Sequence, residues 1–294
     1  MSTAADPPAL APRLPDTLRL GPVHLTVSQL DGSIAFYERA LGLRLHDRDG
    51  EVATMGAGAD DLLVLFEEAG AAPGGRHAGL YHFALLFSDR RELARAVLRL
   101  ATTQTRIEGA SDHGVSEAIY LRDPDDNGIE LYADRPRSAW PPPRTAGDRL
   151  EMYTIALDMK DLMREVDGEE PRERAGPGVV VGHLHLHVGD IEQGLGFYRD
   201  VLGFDVMVRL SSAAFVSAGG YHHHLGFNVW LGPDVEPLPP LTAGLRHWTV
   251  LLASRDAVAA VRARVEAAGL QASDHDTGFV VRDPWQTAVV FATG

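Results

Sequence analysis

The stretch GPVHLTVSQLDGSIAFYERALGLRL, Gly21–Leu45, recurs without gaps as GHLHLHVGDIEQGLGFYRDVLGFDV, Gly182–Val206. Each copy opens with alternating apolar and polar residues, the two-residue period of a half-buried strand. Each then changes to apolar residues at helical spacing and stops at a glycine, Gly42 or Gly203, where a helix C-terminal cap wants a left-handed residue. A weaker pair follows, HFALLFSDRRELARAVLRL from His82 matching HWTVLLASRDAVAAVRARV from His247. Both run on into an Arg-Asp-Pro turn, Arg122–Pro124 and Arg282–Pro284, before a last strand. The repeats predict four units starting near residues 20, 80, 181 and 245, each a strand, a helix, then two or three strands.

Around these units the chain divides by composition. Residues 1–17 read as a disordered leader, 18–135 and 179–294 as two domains of two units each, and the Pro- and charge-rich 136–178 as a linker with a short helix at Asp158–Val166. With 294 residues, 45% of them hydrophobic, each domain can bury its own core. The net charge of -14 argues against a nucleic-acid partner, because phosphate binding draws on clustered Lys and Arg. No apolar run approaches the roughly 20 residues needed to span a bilayer, and the N-terminus lacks the basic start and apolar centre of a signal peptide. A cytoplasmic protein with no membrane partner is expected. The absence of cysteine excludes disulfides, thiolate metal sites and a Cys nucleophile, so any metal rests on His, Asp and Glu, which favours the harder ions.

Four such units, with GFYRDVLGF after a His-bearing strand, resemble the vicinal oxygen chelate superfamily of glyoxalases, bleomycin-resistance proteins and extradiol dioxygenases. The whole-chain layout is similar to catechol 2,3-dioxygenase-like proteins from residue 20 to 294. The resemblance implies an α+β fold in which βαβββ modules pair into two cups of mostly antiparallel strands, one holding a metal on its inner face. It also implies ligands at one point on the first strand and another on the last strand of a module. Five residues before the end of the first strand stand Pro22, His82, His183 and His247; seven residues past the turn Asp of the second and fourth units stand Glu130 and Val290. A single carboxylate is therefore on offer.

Which units share a cup decides the ligand set. Pairing in chain order leaves no complete triad at the aligned points, and His24, His82 and Glu130 would then be the candidate. Pairing the second unit with the third, and the first with the fourth, collects His82, His183 and Glu130 in one cup. The central pairing is the one expected here, with precedent among ring-cleaving relatives and a long linker to allow it. Atoms sharing one ion at roughly 2.0 to 2.2 Å each cannot stand much more than about 5 Å apart. His183, His185 and His187 share one strand face, so at most one or two of them reach a single ion. A lone histidine on a strand is more often structural than a ligand, and His24, which aligns with His185, is read as a companion. Glu130, between Ile129 and Leu131, faces away from them on an alternating strand, and a carboxylate buried in a cup is costly unless a cation compensates.

The resemblance carries over three further residues. The register of GGYHHHLGF makes His223 the acid-base residue, and the extradiol signature places His113 and Tyr120 ahead of Asp123-Pro124 and Glu130 as hydrogen-bond partners of substrate oxygens. Ser111 and Asp126 depart from it, the latter standing where glycine is usual. The implied activity is extradiol cleavage of an aromatic diol by O2 with Fe(II), or alternatively Mn(II), as cofactor. A glyoxalase-like isomerase or lyase, and a metal-free binding protein of the resistance type, use the same fold. Exposed sheet edges leave room for a homo-oligomer.

Overall fold

The computed structural model describes residues 13–144 and 146–294. The first unit holds β1 (Arg19–Val27), α1 (Leu30–Phe36), β2 (Arg44–Asp49), β3 (Val52–Gly56) and β4 (Leu63–Glu67). The second holds β5 (Gly79–Phe87), α2 (Arg90–Thr102), β6 (Gly109–Asp112), β7 (Ser116–Arg122) and β8 (Gly128–Asp134). Between the halves lie β9 (Ile155–Ala156) and α3 (Met159–Arg164), the latter capped by the Asp158 side chain inside the span read as a linker helix. The third unit is β10 (Val180–His187), α4 (Ile191–Leu195), β11 (Asp205–Arg209), β12 (Ala213–Ser217) and β13 (Leu225–Asn228). The fourth is β14 (Gly244–Leu252), α5 (Arg255–Ala267), β15 (Ser273–His275), β16 (Gly278–Arg282) and β17 (Ala288–Thr293).

The strands form two mixed sheets, and neither follows chain order. One runs β15-β16-β17-β14-β1-β4-β3-β2, joining the fourth unit to the first; the other runs β11-β12-β13-β10-β5-β8-β7-β6-β9, joining the third to the second. The seams are the antiparallel pairs of first strands, β1 with β14 and β10 with β5. The segments 18–135 and 179–294 therefore each supply half of both cups, which corrects their reading as separate domains.

The reason lies in residue parity. Alternate residues of the four seam strands, Val23 and Leu25, Phe83 and Leu85, Leu184 and Leu186, Trp248 and Val250, are fully buried in one core that both sheets share. Each seam strand thus turns its strongly apolar face to the other sheet and its second face into its own cup. Chain-order units remain tied on the convex side: Tyr37 of the first unit donates to Asp123 of the second at 2.7 Å, and Tyr198 of the third to Asp283 of the fourth at 2.8 Å. Residues 1–12 of the expected leader lie outside the described residues; at its end Leu14 is buried and its N–H donates to the Gly203 carbonyl, so residues 13–17 are corrected to ordered chain. No helix among the described residues is long and apolar enough to cross a membrane.

Candidate metal centre

The centre forms on the concave face of the second sheet. Across it, Tyr120, Glu130, Ala84 and His183 stand in one row on β7, β8, β5 and β10, and His82 faces His185 in the next row. Ala84 is the smallest side chain that can occupy the place between Glu130 and His183, and it leaves the two longer groups free to meet above it. A bulge between Val181 and His183 inserts Gly182, where a Cβ would sit 1.8 Å from the Tyr132 hydroxyl. The glycine lets Tyr132 close the floor beside His183.

His82 Nε2 and His183 Nε2 lie 2.9 and 3.1 Å from the same Glu130 oxygen, Oε2, and one ligand atom of each residue falls within 4.8 Å of the others. Glu130 is only 3% exposed. Burial by itself would raise its carboxyl, but the rings of His183 and His82 hold it well below the usual carboxylate range. Burial lowers His183 to about 4 against the opposing pull of Glu130. An ionised carboxylate beside a neutral imidazole is the protonation state in which these groups ligate a cation. His82 Nε2, although close to Oε2, forms no hydrogen bond at an acceptable angle, so a buried ring nitrogen points at the centre of the group without a protein partner. Beside the Glu130 carboxylate, that nitrogen is free to take a metal ion, whereas the unpartnered nitrogens of His24 and His247 have no carboxylate with them.

His223 packs on His183 with ring centroids 4.1 Å apart, and burial, with His183 next, keeps its imidazole well below its ordinary pKa. Tyr120 accepts or donates at His113 Nε2 across 2.7 Å, while His113 Nδ1 lies 3.0 Å from the Tyr153 carbonyl. Burial and then the Glu130 charge push the Tyr120 hydroxyl well up, leaving it a donor at neutral pH. His185 Nε2 is held by Asn228 at 2.9 Å and His187 Nδ1 by the same amide at 2.9 Å, so these two line the cup without joining the triad. His24 sits in the other sheet, stacked on His247 at 3.8 Å, far from the set in which it was the reserve ligand. Asp126 takes a φ of 68°, the left-handed conformation that explains the glycine preference there and that Asp tolerates; its counterpart Gln286 does the same at 69°.

A cavity of about 460 Å³ opens above the triad, lined by His82, Glu130, His223, Tyr120, His113 and His185 together with Tyr81, Phe215 and Trp230. A larger groove of about 780 Å³ around Asp190, Arg199 and Arg209 contains none of these residues, and the smaller one carries the chemistry. Residues 152–154 of the linker form one wall, held by β9, which pairs with β6. Nothing in the linker's composition signalled that role. Tyr132, Asp134, Tyr221 and His222 were also missed, although Glu130, Tyr132 and Asp134 follow each other at strand period on β8 and could have been read together.

A cup of paired βαβββ units with a His-His-Glu group on its floor defines the class. The chain belongs to the glyoxalase/bleomycin resistance protein/dioxygenase superfamily, whose family model matches residues 19–131 and again 180–291. It is 40% identical over 276 residues to the catechol-2,3-dioxygenase of Bacillus subtilis (strain 168), an alignment covering 92% of this chain and 95% of that protein. The fold is shared with glyoxalase I from Zea mays, at a TM-score of 0.59 and 17% identity over 94% of this chain and 92% of that one. It is shared also with the cppA protein of Streptococcus pneumoniae TIGR4, at 0.58 and 14% over 97% of this chain and 100% of the other.

Proposed function

We propose that this protein is an Fe(II)-dependent extradiol ring-cleaving dioxygenase acting on a catechol-type diol with O2. The observation that carries the proposal is the convergence of His82, His183 and Glu130 from two units far apart in the chain, with an orphaned nitrogen at its centre. The 40% identical relative named catechol-2,3-dioxygenase supports it. Three ligands on one face suit Fe(II), or alternatively Mn(II), with positions left open. When bound, such an ion offers neighbouring positions to both diol oxygens and O2 and a path for electron density between them.

The chain's own residues supply the rest. His223, neutral and at the edge of the cavity, takes a proton from a diol hydroxyl and returns it to an oxygen of the substrate as the ring opens. Tyr120, whose hydrogen goes to His113 Nε2 because His113 Nδ1 faces the Tyr153 carbonyl, accepts a hydrogen bond from a substrate hydroxyl. Tyr81, Phe215 and Trp230 give the ring apolar faces and exclude water. Among the described residues lining the cavity there is no Lys or Arg, whereas Glu108 and Glu130 are both present. The preferred substrate is accordingly an uncharged catechol rather than one bearing a carboxylate. Cleavage of the ring bond beside the diol, with both atoms of O2 retained, yields a muconic semialdehyde.

Reconstitution with Fe(II) under reductant, followed by O2 uptake and a yellow product across a panel of neutral and carboxylated catechols, tests this. Stoichiometric iron with no uptake on any diol would turn the reading to an isomerase or lyase of the glyoxalase type. Failure to retain any divalent ion would turn it to a binding protein of the resistance type.

A further inference from the structure

Behind His223, on the side away from the cavity, lies a chain of polar contacts that the proton-transfer role alone does not require. His222 is fully buried. Its Nε2 stands 2.8 Å from Asp134 Oδ1, and its Nδ1 stands 2.7 Å from His223 Nδ1. Asp134 also accepts from the Tyr221 hydroxyl at 3.3 Å. The His222 ring is clamped by Tyr221, Trp140 and Tyr132 at centroid distances of 4.0, 5.4 and 6.0 Å, which leaves the two contacts as its polar outlets.

We propose that Asp134 and His222 are positioning residues that fix the tautomer of His223, hydrogen on Nδ1 and a free lone pair on Nε2 facing the cavity. A carboxylate only accepts, so the hydrogen in the Asp134 contact belongs to His222 Nε2. A neutral imidazole with hydrogen on Nε2 has a lone pair on Nδ1. Two facing Nδ1 atoms 2.7 Å apart need one hydrogen between them; a neutral His222 offers only its lone pair there, so His223 supplies the hydrogen, whereas a cationic His222 would donate it and leave His223 with hydrogen on Nε2, the outcome that overturns the proposal. His223 Nε2, which makes no hydrogen bond among the described residues, is left as the acceptor. The same tautomer would otherwise be one of two of similar energy, and the wrong one would present a hydrogen where a lone pair is needed. The device belongs to this cup: Asp134 follows Glu130 by four residues on β8, whereas the position matching Asp134 after β17 is Gly294.

This inference rests on the reading of His223 as the proton-transfer residue, but it can be tested without turnover. In the metal-free full chain labelled with [15N]histidine, two-bond 1H–15N correlations report which nitrogen of each ring carries hydrogen, with His223→Gln identifying the His223 pattern. The wild type is expected to show His223 with hydrogen on Nδ1. Asp134→Ala and His222→Phe should give a mixture of tautomers, and His222→Asn, whose side-chain oxygen takes the place of the lost Nδ1, should restore the original form. A wild-type His223 with hydrogen on Nε2, or a tautomer indifferent to Asp134→Ala, overturns the proposal. In the iron-loaded enzyme, Asp134→Ala should lower kcat about tenfold with KM and iron content unchanged. A fall in iron content or a rise in KM instead would make Asp134 merely structural and overturn the relay. A chain that shows the tautomer but oxidises no catechol keeps the relay and loses the dioxygenase reading.

Discussion

The two cups are built from the same repeat on the same pleat, yet among the described residues only one brings together three side chains that could hold a metal ion. In the second sheet His82, Ala84 and Glu130 stand where the first sheet has His247, Thr249 and Val290, and His183 stands where it has Pro22. One histidine of the triad survives in the other cup, but without a partner it stacks on His24, leaving His24 Nδ1 and His247 Nε2 buried and unpartnered. The lesson is that a fold of this class provides two equivalent floors, and a carboxylate in a cup decides which of them an ion can neutralise.

The largest effect should come from the ligands themselves. His183→Ala should abolish iron retention and O2 uptake together, while His24→Ala leaves close to full iron content, as metal analysis after reconstitution would show. Equal loss in both variants would mean that the cups are not functionally distinct. Grafting the missing donors, Pro22→His with Val290→Glu, should raise the metal content toward two ions per chain. Without metal the same graft should lower Tm by several degrees, since it buries an uncompensated carboxylate. A well-folded graft that stays at one ion would show that the His24–His247 stack, rather than the donor set, closes the first cup.

A smaller change addresses the floor. Ala84→Val places a branched side chain between Glu130 and His183 and should weaken Fe(II) binding about tenfold, measured by competition with a chelator. Thr249→Val, at the matching point of the other cup, should leave it unchanged. Unaltered affinity in Ala84→Val would remove the row of small and large residues from the account of how the centre forms.

The smallest expected effect is on acid stability. Burial lowers His24 and His224 to about 3 and His183 and His247 to about 4 from an ordinary value of 6.5. Their folded values lie below their unfolded ones, so the stability they contribute is complete above pH 6.5 and is lost as pH falls toward 4. Asp283, raised to about 6 by burial, acts in the opposite sense but is outnumbered. The urea midpoint of the metal-free chain should fall between pH 6.5 and 4.5, and less steeply in the His24→Gln, His247→Gln double variant. An unchanged slope in that variant would locate the acid sensitivity in the metal cup alone.

Much of this is legible in the order of residues alone. The two-residue period of GHLHLHV marks β10, the glycines at 42 and 203 mark the helix ends, and the fixed offset from the Asp-Pro turn singles out Glu130 because Val290 takes the same place in the fourth unit. What stayed hidden were contacts between segments with no shared pattern: the linker wall at Met152–Thr154, the cage of Trp140 and Tyr221 around His222, and Asp134 behind it. Side chains meeting from different units leave no periodicity to read.

The sequence by itself determined the units, their strand faces and the single carboxylate available to an ion, because pleat and helix impose periods that residue order must obey. Only the tertiary structure decided that the second unit joins the third, since strand pairing depends on which apolar faces can share one core. It also decided that three residues from β5, β8 and β10 converge within 4.8 Å of one another, and that His223 turns its Nδ1 to His222.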